Sequence, residues 1–189
     1  GHSTVLASGG AFLLFIGWIG FNGGSTLAAD TSISSIIVNT ILAGAAGTAA
    51  GYVWTMSRDL TVLPEKVLTG MIGGLVGVTA GCAIMNTDGA LAIGVIGAIG
   101  ANAANEFVER QLRIDDAVGA IGAHGVAGVL GTVLMAFLAP VENLPLQDRM
   151  AQFQIQSIGA CLNFVWAFGM GYALFAGMKF FFRIRVSAE

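Results

Sequence analysis

The chain has 189 residues, 56% of them hydrophobic and 10% charged, with a formal net charge of −3. Its mean hydropathy is +0.81. Typical soluble domains carry roughly 25% charged residues, so this composition excludes a soluble globular domain. The acidic balance and the lack of a basic cluster exclude nucleic acid as a partner.

Six long apolar runs divide the sequence, at about 3–24, 31–56, 67–86, 89–108, 117–139 and 151–182. A bilayer core of ~30 Å is crossed by a helix of ~20 residues, so each run is long enough to span it. No alternation of polar and apolar residues is sustained, which argues against strands. The expected fold class is all-α, a polytopic membrane protein of six transmembrane helices. Breakers stand between the runs: Gly23-Gly24, Pro64, Asp88-Gly89, Pro140 and Pro145. Asp115 or Asp116 is placed to cap the N-terminus of the fifth helix, and Pro140 to end it. The sixth run closes on Phe180, Phe181, Phe182, Arg183, Ile184 and Arg185, a mixture suited to an interfacial anchor.

The chain holds 28 glycines without a collagen period. Gly47/Gly51, Gly70/Gly74, Gly73/Gly77 and Gly77/Gly81 recur at helix-packing distances, as do Gly122, Gly125, Gly128 and Gly131. Small residues let membrane helices approach closely. Cys82 and Cys161 fall in different apolar runs and read as buried, inert thiols rather than a disulfide. Trp54 and Trp166 read as packing or interface aromatics, and His2 as an interfacial or loop histidine. No hydrolase triad, metal-ligand spacing or phosphate loop occurs, so no cofactor, no bound metal and no enzymatic activity are expected.

One ionisable residue stands out. His124 lies near the middle of the uncharged run Ala117–Ala139. At ~1.5 Å per helical residue it is ~12 Å from Asp116, not far from a bilayer midplane. Ionisable groups at that depth face a protein interior or cavity and mark a pathway by default. A satisfied packing histidine is the plain alternative.

Basic residues set the orientation. With six spans, Arg58, Lys66, Arg110, Arg113, Lys179, Arg183 and Arg185 share one side, and only Arg149 lies on the other. The positive-inside rule makes the rich side cytoplasmic, with both ends of this chain there.

Two segments carry more than class information: Gly17-Trp18-Ile19-Gly20-Phe21-Asn22-Gly23-Gly24-Ser25, and Leu112-Arg113-Ile114-Asp115-Asp116 continuing through His124-Gly125-Val126-Ala127-Gly128. Val38-Asn39-Thr40 and the stretch Gly74–Cys82 lie between them in order. Together these resemble the ammonium transporter family (Amt/Mep/Rh), collinearly over essentially the whole chain. The resemblance places residues 1–189 at the sixth to eleventh helices of an eleven-helix protein, the second of two inverted repeats plus the last helix. The opening Gly-His-Ser, rather than Met, also suggests part of a longer protein.

The resemblance implies roles. His124 would be the second of two pore histidines, and a dry neutral imidazole offers one donor and one acceptor to ammonia. Phe21 would be the lower of two stacked gate rings; a lipid-facing phenylalanine is the alternative. Ser25 would accept a hydrogen bond from incoming ammonium, or else act as a cap hydroxyl. Trp18 would pack beside the pore. Asp116 is read first as a helix cap and second as a proton-related group. The family often has another acid where this chain has Gly119, which puts a relay through that position in doubt. The first histidine, the upper gate ring and a recruitment tryptophan would come from missing first-half helices, in the same or a separate chain. The partners implied are ammonium or ammonia, the lipid bilayer, two further copies in a homotrimer, and a cytosolic regulator or signalling domain beyond Val186–Glu189. The expected function is ammonium transport in a plasma or cell inner membrane. An ammonium sensor with a transporter-like membrane domain is the alternative, and a non-conducting structural subunit the third reading.

Overall fold

The computed structural model describes residues 3–182 and 184. The expectations for His2, Arg183, Arg185 and 186–189 lie outside the described residues. Six long helices follow the apolar runs: α1 (Thr4–Gly24), α2 (Ser32–Arg58), α3 (Pro64–Thr79), α4 (Thr87–Arg110), α5 (Ala127–Leu138) and α6 (Arg149–Phe181). A π-helix, Ile121–Val126, runs directly into α5, and a short 3-10 turn, Val141–Asn143, precedes α6. Among the described residues there are no strands.

Among the described residues five spans have the length and apolarity to cross a membrane, counting Ile121–Leu138 as one. The third departs from the expected 67–86. Helix α3 starts on Pro64, whose missing N–H costs nothing in a first turn, and stops at Thr79. Its 16 residues reach only about 24 Å. Beyond it, residues 80–84 form turns. Irregular backbone at the edge of a membrane must be satisfied by protein. Here Asn39 Nδ2 donates to Cys82 O at 3.0 Å and Met85 O at 2.9 Å, and Asn143 Nδ2 donates to Ile84 O at 3.0 Å.

The fifth span also departs from 117–139. Residues 113–116 have no regular structure, with Arg113 at φ +54°, and 117–118 turn, so regular helix begins only at Ala120. At the far end, Ala139 is extended ahead of Pro140, as a residue before proline prefers. Arg149 then closes α5: its Nη1 donates to Ala136 O, Phe137 O and Ala139 O at 2.9, 2.9 and 3.0 Å. A cation over the last carbonyls satisfies both the orphan acceptors and the helix dipole.

Helices α2, α3 and α4 form the tight interior. A Cβ on Gly70 would lie 2.6 Å from Gly47 O, and one on Gly73 2.8 Å from Gly97 O. Only glycine permits these backbone approaches, and no added side chain could give way. At the basic end, Glu106 joins the three helices: its carboxylate takes Trp54 Nε1 at 3.1 Å, Lys66 Nζ at 3.0 Å and Arg58 at 3.3 Å. Lys66 also pairs with Asp59 at 2.7 Å. Trp54 is thus a hydrogen-bonded packing residue with the Arg58 guanidinium 4.8 Å from its ring centre.

Helix α6 behaves differently. Its 33 residues extend about 50 Å, well beyond a bilayer core, and only Gln152 among them is buried. It packs on α5, with Phe137 and Phe153 centroids 5.4 Å apart. Cys161 lies exposed on this helix, correcting the expectation that both thiols are buried; Cys82 is buried, and both are free.

Candidate functional site: the open wall of α1 and the π-helix

Three of the sequence-selected aromatics come together on one face. Trp18 and His124 lie nearly parallel, with ring centroids 6.3 Å apart and planes 19° from one another. Trp18 and Phe21 meet edge-on at 6.5 Å. The indole is half-buried and its Nε1 donates to Thr79 Oγ1 at 2.8 Å, while Thr79 Oγ1 donates to Leu75 O at 2.7 Å. With its one polar atom taken, Trp18 presents a π face to the wall. Phe21 is 62% exposed, and His124 is exposed beside Gly125, where an added Cβ would meet nothing within 4 Å. In this chain the three rings therefore form one open wall, not a closed channel.

Ser25 continues the wall toward the end of α1. Its hydroxyl donates to Phe21 O at 2.7 Å. That commits its proton and leaves its lone pairs free to accept from a cation. The polar residue behind this face is Asn22, buried, which donates to Thr40 Oγ1 at 3.0 Å. A separate apolar hollow of about 430 Å³ lies on the neighbouring side of α1, lined by Ile19, Gly23, Leu27, Ile33 and others. None of Trp18, Phe21, Ser25 or His124 lines it.

His124 sits in the π-helix, a feature without a signal in the apolar pattern. Widened turns of this type occur often at functional sites. Its register is explicit: Ala127 N–H donates to Gly122 O, five residues back. Because regular helix starts at Ala120, counting turns from Asp116 misplaces His124 along its own helix. Its depth follows instead from α4. Gly122 packs against Ala101 O and Asn105, and Ala101 lies nine residues before Arg110, about 13 Å along that helix.

Asp116 accepts from the N–H of Ala120 at 2.9 Å and of Ile121 at 2.7 Å. The carboxylate serves the start of the π-helix, not that of an α-helix beginning at 117. Gly119 has φ +65°, a conformation L side chains rarely adopt, and a Cβ there would collide with Asn105 Nδ2. An acidic side chain at position 119 would strain the backbone and displace the Asn105 amide. Asn105, Asn39 and Asn102 carry no role in the sequence reading. Their signal was present as uncharged amides inside apolar runs, where polar side chains bond between helices. Among the described residues no three His, Cys, Asp or Glu side chains gather as a metal site.

Long apolar helices and polar groups satisfied within the bundle mark an integral membrane protein of the all-helical class. The model of the Ammonium Transporter Family matches residues 1–189. The chain is 36% identical to ammonium transporter Amt2 of Archaeoglobus fulgidus, over all of this chain and 43% of that protein. It is 31% identical to an ammonium transporter of Mycobacterium tuberculosis, over all of this chain and 42% of that protein. A solved structure named a sensor Amt protein superposes with TM-score 0.94 at 37% identity, covering 98% of this chain and 46% of that one. Saccharomyces cerevisiae Mep2 superposes with TM-score 0.86 at 28% identity, covering 94% and 43%. The chain belongs to the ammonium transporter family, a family of membrane transport proteins rather than enzymes. It spans less than half the length of these relatives.

Proposed function

We propose that residues 1–189 are the C-terminal part of an ammonium transporter's membrane domain and supply one wall of its pore. The observation that carries this reading is the convergence of Trp18 and Phe21 from α1 with His124 from the π-helix on one open face. Helices from elsewhere in the protein close the conduit and supply a second histidine. Ammonium is recruited at the lone pairs of Ser25 and sheds water at the Phe21 ring. It then gives its proton to a neutral imidazole nitrogen or to water, and ammonia passes beside His124. Imidazole suits the passage because ammonia can donate to its bare nitrogen and accept from its N–H. A potassium ion of similar size has no N–H bond to offer, so the wall discriminates by hydrogen bonding rather than by size. The protein works as a homotrimer with one pore per subunit, in a plasma or cell inner membrane. The end bearing Arg58, Lys66 and Arg110 is cytoplasmic, and a cytosolic regulator or signalling domain acts from that side.

The test is flux through the whole protein in liposomes, read as ammonium-induced current and methylammonium uptake. Wild type carries both, and His124→Ala changes conduction or discrimination against potassium. Unchanged flux and unchanged discrimination in that variant would remove His124 from the pathway. A second reading is favoured by the sensor Amt protein that superposes at TM-score 0.94. In it, the same wall binds ammonium and reports occupancy to a cytosolic domain. Ammonium binding without net flux, together with a catalytic domain after Glu189 in the full polypeptide, would select it.

A further inference from the structure

The His124 segment has no regular helix behind it to fix its direction. Its lead-in from Arg113 is irregular and turning, and the widened π ring from Gly122 to Ala127 encloses His124. One end of that ring is held from α4. Asn105 Oδ1 accepts the N–H of Gly122 at 3.0 Å, two residues before the imidazole. Asn105 Nδ2 fills the space where a side chain on Gly119 would lie, and Gly119 turns there at φ +65°. Gly122 has no side chain because its Cβ would collide with Asn105 Oδ1 and Ala101 O. Asp116 secures the N–H groups of Ala120 and Ile121. The N–H groups that open this helix are thus shared between one carboxylate and one amide, and the amide alone belongs to another helix.

We infer that Asn105 is a positioning residue for the pore histidine: by holding Gly122 to α4 it sets where the His124 ring stands against Trp18. Asn105 acts through the register of the π turn, two residues before the imidazole. The glycines at 119 and 122 are the complement of this clamp, since both leave the amide its place. Asn105 is itself anchored on a rigid stretch of helix. One turn earlier Asn102 Nδ2 donates to Lys66 O at 3.1 Å, and the adjoining Glu106 is paired to Lys66 and Arg58.

The transport part of this inference rests on the pore reading above, so the test has two arms on the full-length protein in nanodiscs or liposomes. Hydrogen exchange across residues 119–126 reads the clamp without reference to transport. Asn105→Leu, which removes the acceptor, is expected to speed exchange at Gly122 about fivefold, the effect of one net hydrogen bond. Asn105→Asp, which keeps an acceptor oxygen at the same reach, retains most of the protection. Unchanged exchange in Asn105→Leu overturns the clamp. The second arm is flux. Asn105→Leu lowers ammonium flux severalfold and Asn105→Asp restores it. In a His124→Ala background Asn105→Leu has no further effect, because coupled residues are non-additive. Losses that simply add overturn a role through His124. A wild-type protein that carries no ammonium defeats the pore reading, and the exchange arm then decides the clamp alone.

Discussion

Polar side chains in the α2–α3–α4 interior and on the α1–π-helix wall are used in opposite ways. In the interior, Asn39, Asn102 and Thr40 each spend their hydrogen bonds on backbone carbonyls within the bundle. Among the described residues no buried side-chain nitrogen or oxygen lacks a partner. On the wall, His124 has no hydrogen-bonding partner among the described residues, and Ser25 keeps free lone pairs. Buried polar groups left unpaired in an apolar medium are costly, so the interior amides are structural. An exposed imidazole with no partner among the described residues is what the proposed passage requires. The difference separates two kinds of polar residue that look alike within an apolar sequence.

Four substitutions and one titration test this contrast, the largest effect first. Gly74→Leu should cost at least about 3 kcal/mol, because overpacking here meets backbone rather than a mobile side chain. A Cβ on Gly74 would already lie 3.1 Å from Gly47 Cα. Thermal unfolding in detergent, or loss of the folded species on size exclusion, reads this. Asn39→Ala should cost about 1–3 kcal/mol by leaving the carbonyls of Cys82 and Met85 without their donor. A shift below about 0.3 kcal/mol in denaturant unfolding would mean water replaces the amide, and would break the contrast. Arg149→Gln should cost about 1–2 kcal/mol, through three carbonyls left uncapped at the end of α5. Faster hydrogen exchange confined to 134–139 would localise the loss. His124→Ala should change stability by less than about 0.5 kcal/mol while changing flux. Destabilisation equal to that of Asn39→Ala would place His124 among the structural group instead.

The smallest effect is a titration at the start of α2. Asp30 is held below the ordinary carboxylate range by the Ser32 hydroxyl and then the Ser32 N–H, both donating to it. A folded-state value below the unfolded one means that the contribution is complete above the unfolded pKa. It is lost as pH falls through the lowered value. The Ser32 amide shift in NMR should therefore stay constant from neutral pH down to the unfolded carboxylate range and move only below it. Movement near neutrality would contradict the assignment.

What residue order alone determined is local. Apolar length marked the six helical runs, Gly24, Pro64 and Pro140 marked three of their ends, and the Trp18–Ser25 and Asp115–Gly128 segments carried the family resemblance. These are legible because transfer into lipid acts on each run by itself. Three-dimensional packing decided the rest. The early stop of α3 depends on Asn39, 43 residues from Cys82; the setting of Trp18 depends on Thr79, 61 residues away. The π register and the crowding at Gly119 depend on Asn105, which reaches Gly122 across 17 residues from another helix. Six residues are too few for apolar periodicity to tell α from π turns. Only the partner that claims each backbone N–H decides between them, and that partner is brought by the fold.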